Sequence, residues 1–243
     1  MNLVELSGVD KRFGEKVVYR DLSLEVRRGE TLALVGPSGV GKSVLLKLII
    51  GLHRVDRGQI FFDGVDVTPL HDAELRLLRR RVGMLFQGSA LFDSLDVGEN
   101  IAYGLREHYD WSERRIRERV AECLSWVGLP GIERLAPADL SGGMKKRVGL
   151  ARVLAPGPEL ILYDEPTTGL DPANFRRIDE LIVAMREKLG VTSIVITHDM
   201  ACVFAVADRV GLVTQHRVPF VVDVRAARDT PELQRFVQGE ELT

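Results

Sequence analysis

Over its first thirty residues the chain alternates apolar and polar positions. Val4, Leu6 and Val9, then Val17, Val18 and Tyr19, then Leu22, Leu24 and Val26 mark the apolar side. A period of two predicts short β-strands with one buried face, ending at the turn Arg28-Gly29-Glu30. Residues 32–35 are continuously apolar, which predicts a buried strand, and 42–50 carry the spacing of a helix. A strand bracketed by glycines follows at 58–64, then a short basic helix at 73–80 and a strand at 82–87. From 97 to 155 the pattern is helical, rich in Arg, Glu, Leu and Ala. Ser112 is placed to cap a helix whose apolar positions Ile116, Val120, Cys123, Leu124 and Val127 recur at helical spacing. Apolar runs return at 160–164 and 192–197, as expected of parallel strands covered on both faces. An amphipathic helix at 174–189 lies between them. The sum is an α/β core, about 1–87 and 159–215, with a helical insertion at about 88–158 and a tail from about 216 to 243.

Composition removes function classes more than it adds them. With 45% hydrophobic and 28% charged residues the chain reads as an ordinary globular protein. The 33 basic residues are balanced by 35 acidic ones, so there is no electrostatic footprint for nucleic acid. No apolar run reaches the roughly 18–20 residues of a membrane span. The first residues lack the basic and apolar regions of a secretory signal. Cys123 and Cys202 stand far apart without the spacing of metal ligands, which points to a reducing compartment.

Candidate chemistry enters at Gly36-Pro37-Ser38-Gly39-Val40-Gly41-Lys42-Ser43, which follows one apolar strand and opens a helix. Strand, glycine loop and helix together predict a site for a nucleoside triphosphate with Mg²⁺. Gly36, Gly39 and Gly41 let the backbone curl close to phosphates. The loop N–H groups and the helix N-terminus form an anion nest. Lys42 supplies a charge for the β- and γ-phosphates, and Ser43 a hydroxyl for Mg²⁺. A second constellation lies at the end of the strand 160–164, where Asp164 and Glu165 are adjacent carboxylates. Asp164 suits Mg²⁺, and Glu165 suits a general base that polarises the attacking water.

Leu140-Ser141-Gly142-Gly143-Met144 precedes that strand and follows the helical insertion. In this order it resembles the signature motif of ABC-type ATPases. The resemblance covers roughly residues 1–215. It implies one ABC domain over 1–243: a RecA-like P-loop core, an antiparallel β subdomain and an inserted α-helical subdomain. It implies that Phe13 stacks on the adenine and Val18 also binds ATP, that Gln87 is the Q-loop residue and a further Mg²⁺ contact, and that His198 senses the γ-phosphate. It implies a head-to-tail pair of chains in which Ser141, Gly142, Gly143 and the D-loop Asp171 act in trans on the partner's ATP. One copy of each motif is present, so the implied partner is a second copy of the chain, joined to an integral membrane permease on the cytoplasmic face of the inner membrane.

Three stretches carry a narrower resemblance: residues 84–95, Leu140 to Arg147 with its Met144, and Asp164 to Pro172. Together they resemble the Mla/Mce-type ATPases that power phospholipid or hydrophobic-substrate transport. That would bring in MCE-domain and small accessory subunits as partners. An importer of polar amino acids or other small solutes is the alternative, and a non-transport ABC switch protein a third. One stretch departs from the pattern. After Val210 the usual turn glycine is missing, which leaves strands beyond residue 213 undefined. The tail 232–239 has helical apolar spacing. It resembles the terminal helix of the lipid-transport group and equally suits a short surface helix packed on its own domain.

Overall fold

A computed structural model describes residues 1–240 of the chain. The alternating N-terminal segment folds into two long strands, β1 (Asn2–Phe13) and β2 (Lys16–Arg27), rather than several short ones. The length is tolerated because register shifts break the pairing, among them one between Leu6 and Val9. With β4 (Arg57–Phe62) and β5 (Val65–Asp66) they form an antiparallel sheet in the order β2-β1-β4-β5.

The second sheet runs β10-β9-β3-β8-β7-β6. Its members are β3 (Thr31–Val35), β6 (Val82–Leu85), β7 (Leu160–Asp164), β8 (Thr192–Ile196), β9 (Arg209–Leu212) and β10 (Val221–Asp223). All pair in parallel except β10, which adds antiparallel to β9 at the edge. Each strand feeds one side chain to one face and the next to the other. Leu32, Leu34, Leu160, Leu162, Ile194 and Ile196 pack with the antiparallel sheet and the helix α1 (Lys42–Ile49). Ala33, Val35, Ile161, Tyr163 and Val195 pack on the opposite face with the remaining helices. Burial on both faces is why these strands read as unbroken apolar runs.

The helix α2 (Asp72–Arg81) leads into β6. Residues 88–158 hold α3 (Val97–His108), α4 (Glu113–Trp126) and α5 (Gly142–Leu154). Ser112 caps α4, accepting from Arg115 N at 3.4 Å. Buried residues of all three helices run on into those packed against the parallel sheet. Then come α6 (Pro172–Leu189), α7 (Met200–Val206) and α8 (Pro231–Gln238).

The missing turn glycine after Val210 is made good by His216. It takes the left-handed conformation at φ 71° within a tight turn closed by Thr214 N donating to Arg217 O at 3.0 Å. Its carbonyl accepts from Arg20 N at 2.9 Å, stitching this turn to β2. The tail helix α8 buries Leu233 in the core of its own chain.

Candidate nucleotide site

The functional side chains sit where the parallel strands end, the usual ligand-binding edge of an open α/β sheet. β3 runs into the glycine loop and then α1. Gly41 stands at φ 115°, and a Cβ there would come within 2.6 Å of Val18 Cγ1. Tyr19 donates its hydroxyl to Gly41 O at 2.9 Å, so β2 braces the loop from outside. No side chain caps α1, which leaves its first N–H groups for an anion. Lys42 is buried. Its Nζ donates to Gly36 O at 2.6 Å and Pro37 O at 2.9 Å, which holds the ammonium at the mouth of the loop. Burial lowers its pKa, and the carboxylates of Glu165 and Asp164 oppose that shift.

Ser43 and Asp164 meet across the cleft, with Ser43 Oγ donating to Asp164 Oδ1 at 2.7 Å. The pair offers hard oxygen donors, the chemistry Mg²⁺ selects. Glu165 follows at φ 50°, a left-handed conformation unusual for a residue with a Cβ. Its Oε2 accepts from Thr168 Oγ1 at 3.0 Å and lies 2.9 Å from His198 Nδ1. His198 itself is exposed, just beyond β8.

A cleft of about 400 Å³ is lined by Ser38, Gly39, Gly41, Lys42, Ser43, Gln87, Glu165, Thr168 and His198, among others. A second cavity of about 280 Å³ shares Gly39, Gly41 and Val44 with it and adds Val40, Phe13 and Val18. Phosphate-side and aromatic-side residues thus form one continuous surface. Sequence reading missed Thr168 in the first cavity and Lys16, Gln215 and His216 in the second. The last two arrive from the turn after β9, remote in sequence, and only the absent turn glycine hinted that this turn was unusual.

Ser141, Gly142 and Gly143 do not join this cleft. Ser141 caps α5, accepting from Met144 N at 3.3 Å, and it and Gly142 are exposed. Asp171 is exposed too and caps α6, accepting from Ala173 N and Asn174 N at 3.0 and 3.1 Å. Asn174 fills the space beside Gly143 that a Cβ would need, and donates to Asp171 Oδ2 at 2.6 Å. The starts of α5 and α6 are therefore packed together outside the cleft, with Ser141, Gly142 and Asp171 exposed and Gly143 buried.

The ABC transporter family profile matches residues 19–168. The chain is 43% identical over 217 residues to the intermembrane phospholipid transport system ATP-binding protein MlaF of Haemophilus influenzae, covering 89% of this chain and 82% of that one. It is 40% identical to the "Probable ribonucleotide transport ATP-binding protein mkl" of Mycobacterium leprae, over 98% of this chain and 70% of the relative. Among solved structures, the dimeric post-hydrolysis state of the ATP-binding cassette MJ0796 bound to ADP and Pi superposes with a TM-score of 0.84. That pair is 32% identical and covers 91% of this chain and 99% of the other. The family match over most of the chain, the identity to these relatives and the structural likeness to the cassette make the chain an ATP-hydrolysing member of the ABC transporter family.

Proposed function

We propose that this chain is the ATPase subunit of a phospholipid transporter, closing as a homodimer on two ATP molecules beneath a membrane permease. The observation that carries the dimer is the split of the functional residues. Gly36 to Ser43, Gln87, Asp164, Glu165 and His198 gather in or beside one cleft, while Ser141, Gly142, Gly143 and Asp171 lie outside it. A second copy in head-to-tail orientation would bring the backbone donors at the start of α5 to the γ-phosphate. Phe13 and Val18 would receive the adenine, and Val40, Pro37 and Ser38 shape the loop around the phosphates.

In this reading Lys42 binds the β- and γ-phosphates and Glu165 takes the proton of the attacking water. Its strained backbone and its Thr168 and His198 contacts fix the carboxylate before substrate arrives. Ser43, Asp164 and Gln87 would hold Mg²⁺, which supplies positive charge against the developing charge of phosphoryl transfer. Among the described residues no helix is long and apolar enough to cross a membrane. Attachment to the cytoplasmic face of the inner membrane would then run through the permease. MCE-domain and small accessory subunits would complete the assembly.

The lipid assignment rests on the MlaF relatives, at 43% identity in Haemophilus influenzae and 38% in Escherichia coli. The mycobacterial relative, named for ribonucleotide transport and 40% identical over nearly the whole chain, supports a second reading. The purified complex of this chain with its permease decides between them. Phospholipid bound to the complex, together with ATP-dependent movement of labelled phospholipid between vesicles, is the expected result. ATP-dependent uptake of ribonucleotides with no lipid movement would replace the lipid reading with the second one.

A further inference from the structure

Helix α5 begins with the signature residues and passes behind the catalytic glutamate of its own chain. Lys146, five residues after the capping Ser141, is only 5% exposed. Lysine is rarely buried this deeply without a specific partner. Here Nζ donates to the main-chain oxygen of Glu165 at 3.2 Å. The negative charges that face it are the carboxylates of Glu165 and Asp164. Among the described residues Lys146 takes part in no ion pair within 4.0 Å.

The contact falls where it matters mechanically. Glu165 sits at φ 50°, and such strain persists only when the surroundings over-determine it. Three tethers act on its peptide groups. Its N–H donates to Ile196 O at 2.9 Å, and its carbonyl accepts from Thr168 N at 3.3 Å and from Lys146 Nζ. The first two come from the strand and turn beside Glu165. Lys146 is the tether that comes from the helical segment. Nearly two turns further along α5, Arg152 donates to Ser89 O at 2.9 Å and Ala90 O at 2.7 Å. Those two residues, just after Gln87, are themselves left-handed at φ 62° and 48°. One helix thus holds strained backbone at Glu165 and just after Gln87, two residues that line the cleft.

We propose that Lys146 is a positioning residue for Glu165, tying the signature helix to the orientation of the catalytic carboxylate. The inference rests on the reading above, in which the first turn of α5 meets the partner's ATP. Under that reading, engagement of one nucleotide by Ser141 to Gly143 and the setting of Glu165 at the other site are carried by a single rigid helix. Lys146 does not touch substrate and acts through Glu165 alone.

The test is a double-mutant cycle on the full chain. Lys146→Met is expected to lower kcat by roughly 10- to 100-fold while KM for ATP moves by no more than about twofold, because orientation and not binding is lost. Lys146→Arg, which keeps a cationic donor, should restore most of the rate. In a Glu165→Gln background, Lys146→Met should lower the residual single-turnover rate no further, and ATP-driven dimerisation should persist. Wild-type kcat in Lys146→Met, a KM effect without a kcat effect, or full additivity with Glu165→Gln would each overturn the inference. Should Lys146→Met not fold, Lys146→Gln carries the same measurements. Wild-type hydrolysis by Glu165→Gln itself would instead remove the catalytic assignment on which the inference stands.

Discussion

The strand β7 has a glutamate just outside each end, and the two are treated in opposite ways. Glu159, before the strand, is fully partnered. Its carboxylate accepts from Arg28 Nη1 at 2.8 Å and Arg81 Nε at 2.5 Å, and the same two arginines hold Asp63 in the turn between β4 and β5. Glu165, after the strand, has left-handed backbone, and its Oε2 is held by a threonine and a histidine. Among the described residues its other oxygen has no hydrogen bond. One end satisfies its charges and joins two sheets. The other keeps a carboxylate oriented and available. The difference separates stability from chemistry along a five-residue strand, and the two ends can be broken independently.

The largest effects lie at the Glu165 end. Lys42→Ala removes the cation held at the mouth of the glycine loop, and ATP binding should be lost in equilibrium titration with a fluorescent nucleotide. Glu165→Gln should bind ATP as tightly as the parent yet hydrolyse it roughly 10²–10⁴-fold more slowly, the range a positioned general base supplies. Size-exclusion chromatography with ATP should then show a trapped dimer. A Glu165→Gln protein that turns over at the parent rate would end the comparison, since both glutamates would then be structural.

The signature unit extends the comparison to a second molecule. Ser141→Arg places a bulky cation at an exposed helix start and should leave single-chain ATP binding intact. Hydrolysis should drop by roughly 10²-fold, the scale of removing donors aimed at developing charge. Lys42→Ala and Ser141→Arg should each be nearly inactive alone. A mixture of the two should recover activity, because in the mixed dimer one composite site contains the native loop and the native signature. Failure of the mixture to recover activity, with both chains folded and able to pair, would argue against sharing in trans.

How much of this is visible in the sequence follows the same division. The Glu165 end was legible because its residues are local. The glycine loop lies between its own strand and helix, and Asp164 and Glu165 follow their own apolar run. The fold class was legible because β3, β7 and β8 are buried on both faces and are mostly apolar, with Thr31, Thr192 and Ser193 as small polar exceptions. The partnered end was not, because Glu159, Arg28, Arg81 and Asp63 come from four separate places and look like ordinary surface charges until folding assembles them. Lys146 was hidden for a related reason. It sits in the basic run Lys145-Lys146-Arg147, where residue type alone does not set it apart from its neighbours, and only packing against Glu165 buries it. The turn at His216 shows the converse. The absent glycine signalled irregularity, yet a histidine adopts the left-handed conformation because its carbonyl and ring both bond to β2.

The smallest expected effect lies at the partnered end. Arg81→Met removes one guanidinium from the network while preserving its bulk over the Phe62 ring, where the cation now stacks. Asp63 and Glu159 have pKa values below the usual carboxylate range, chiefly through hydrogen bonds from Arg81. A depressed carboxylate contributes stability that is present above its unfolded pKa, about 4, and is lost as pH falls through the folded value. The variant should therefore melt a few degrees below the parent near neutral pH. The gap should close as the pH is lowered below the unfolded value and through the folded one, where the parent loses the same contribution. Exposed ion pairs are individually weak, so a modest shift is the expectation even for four linked residues. Added salt should narrow the gap at neutral pH for the same reason. ATP affinity and kcat should stay at the parent values throughout, because Arg81 lies at the opposite ends of the strands from the cleft. An equal loss of activity in Arg81→Met would mean that the two ends of β7 are mechanically coupled and that stability and chemistry are not separable along it.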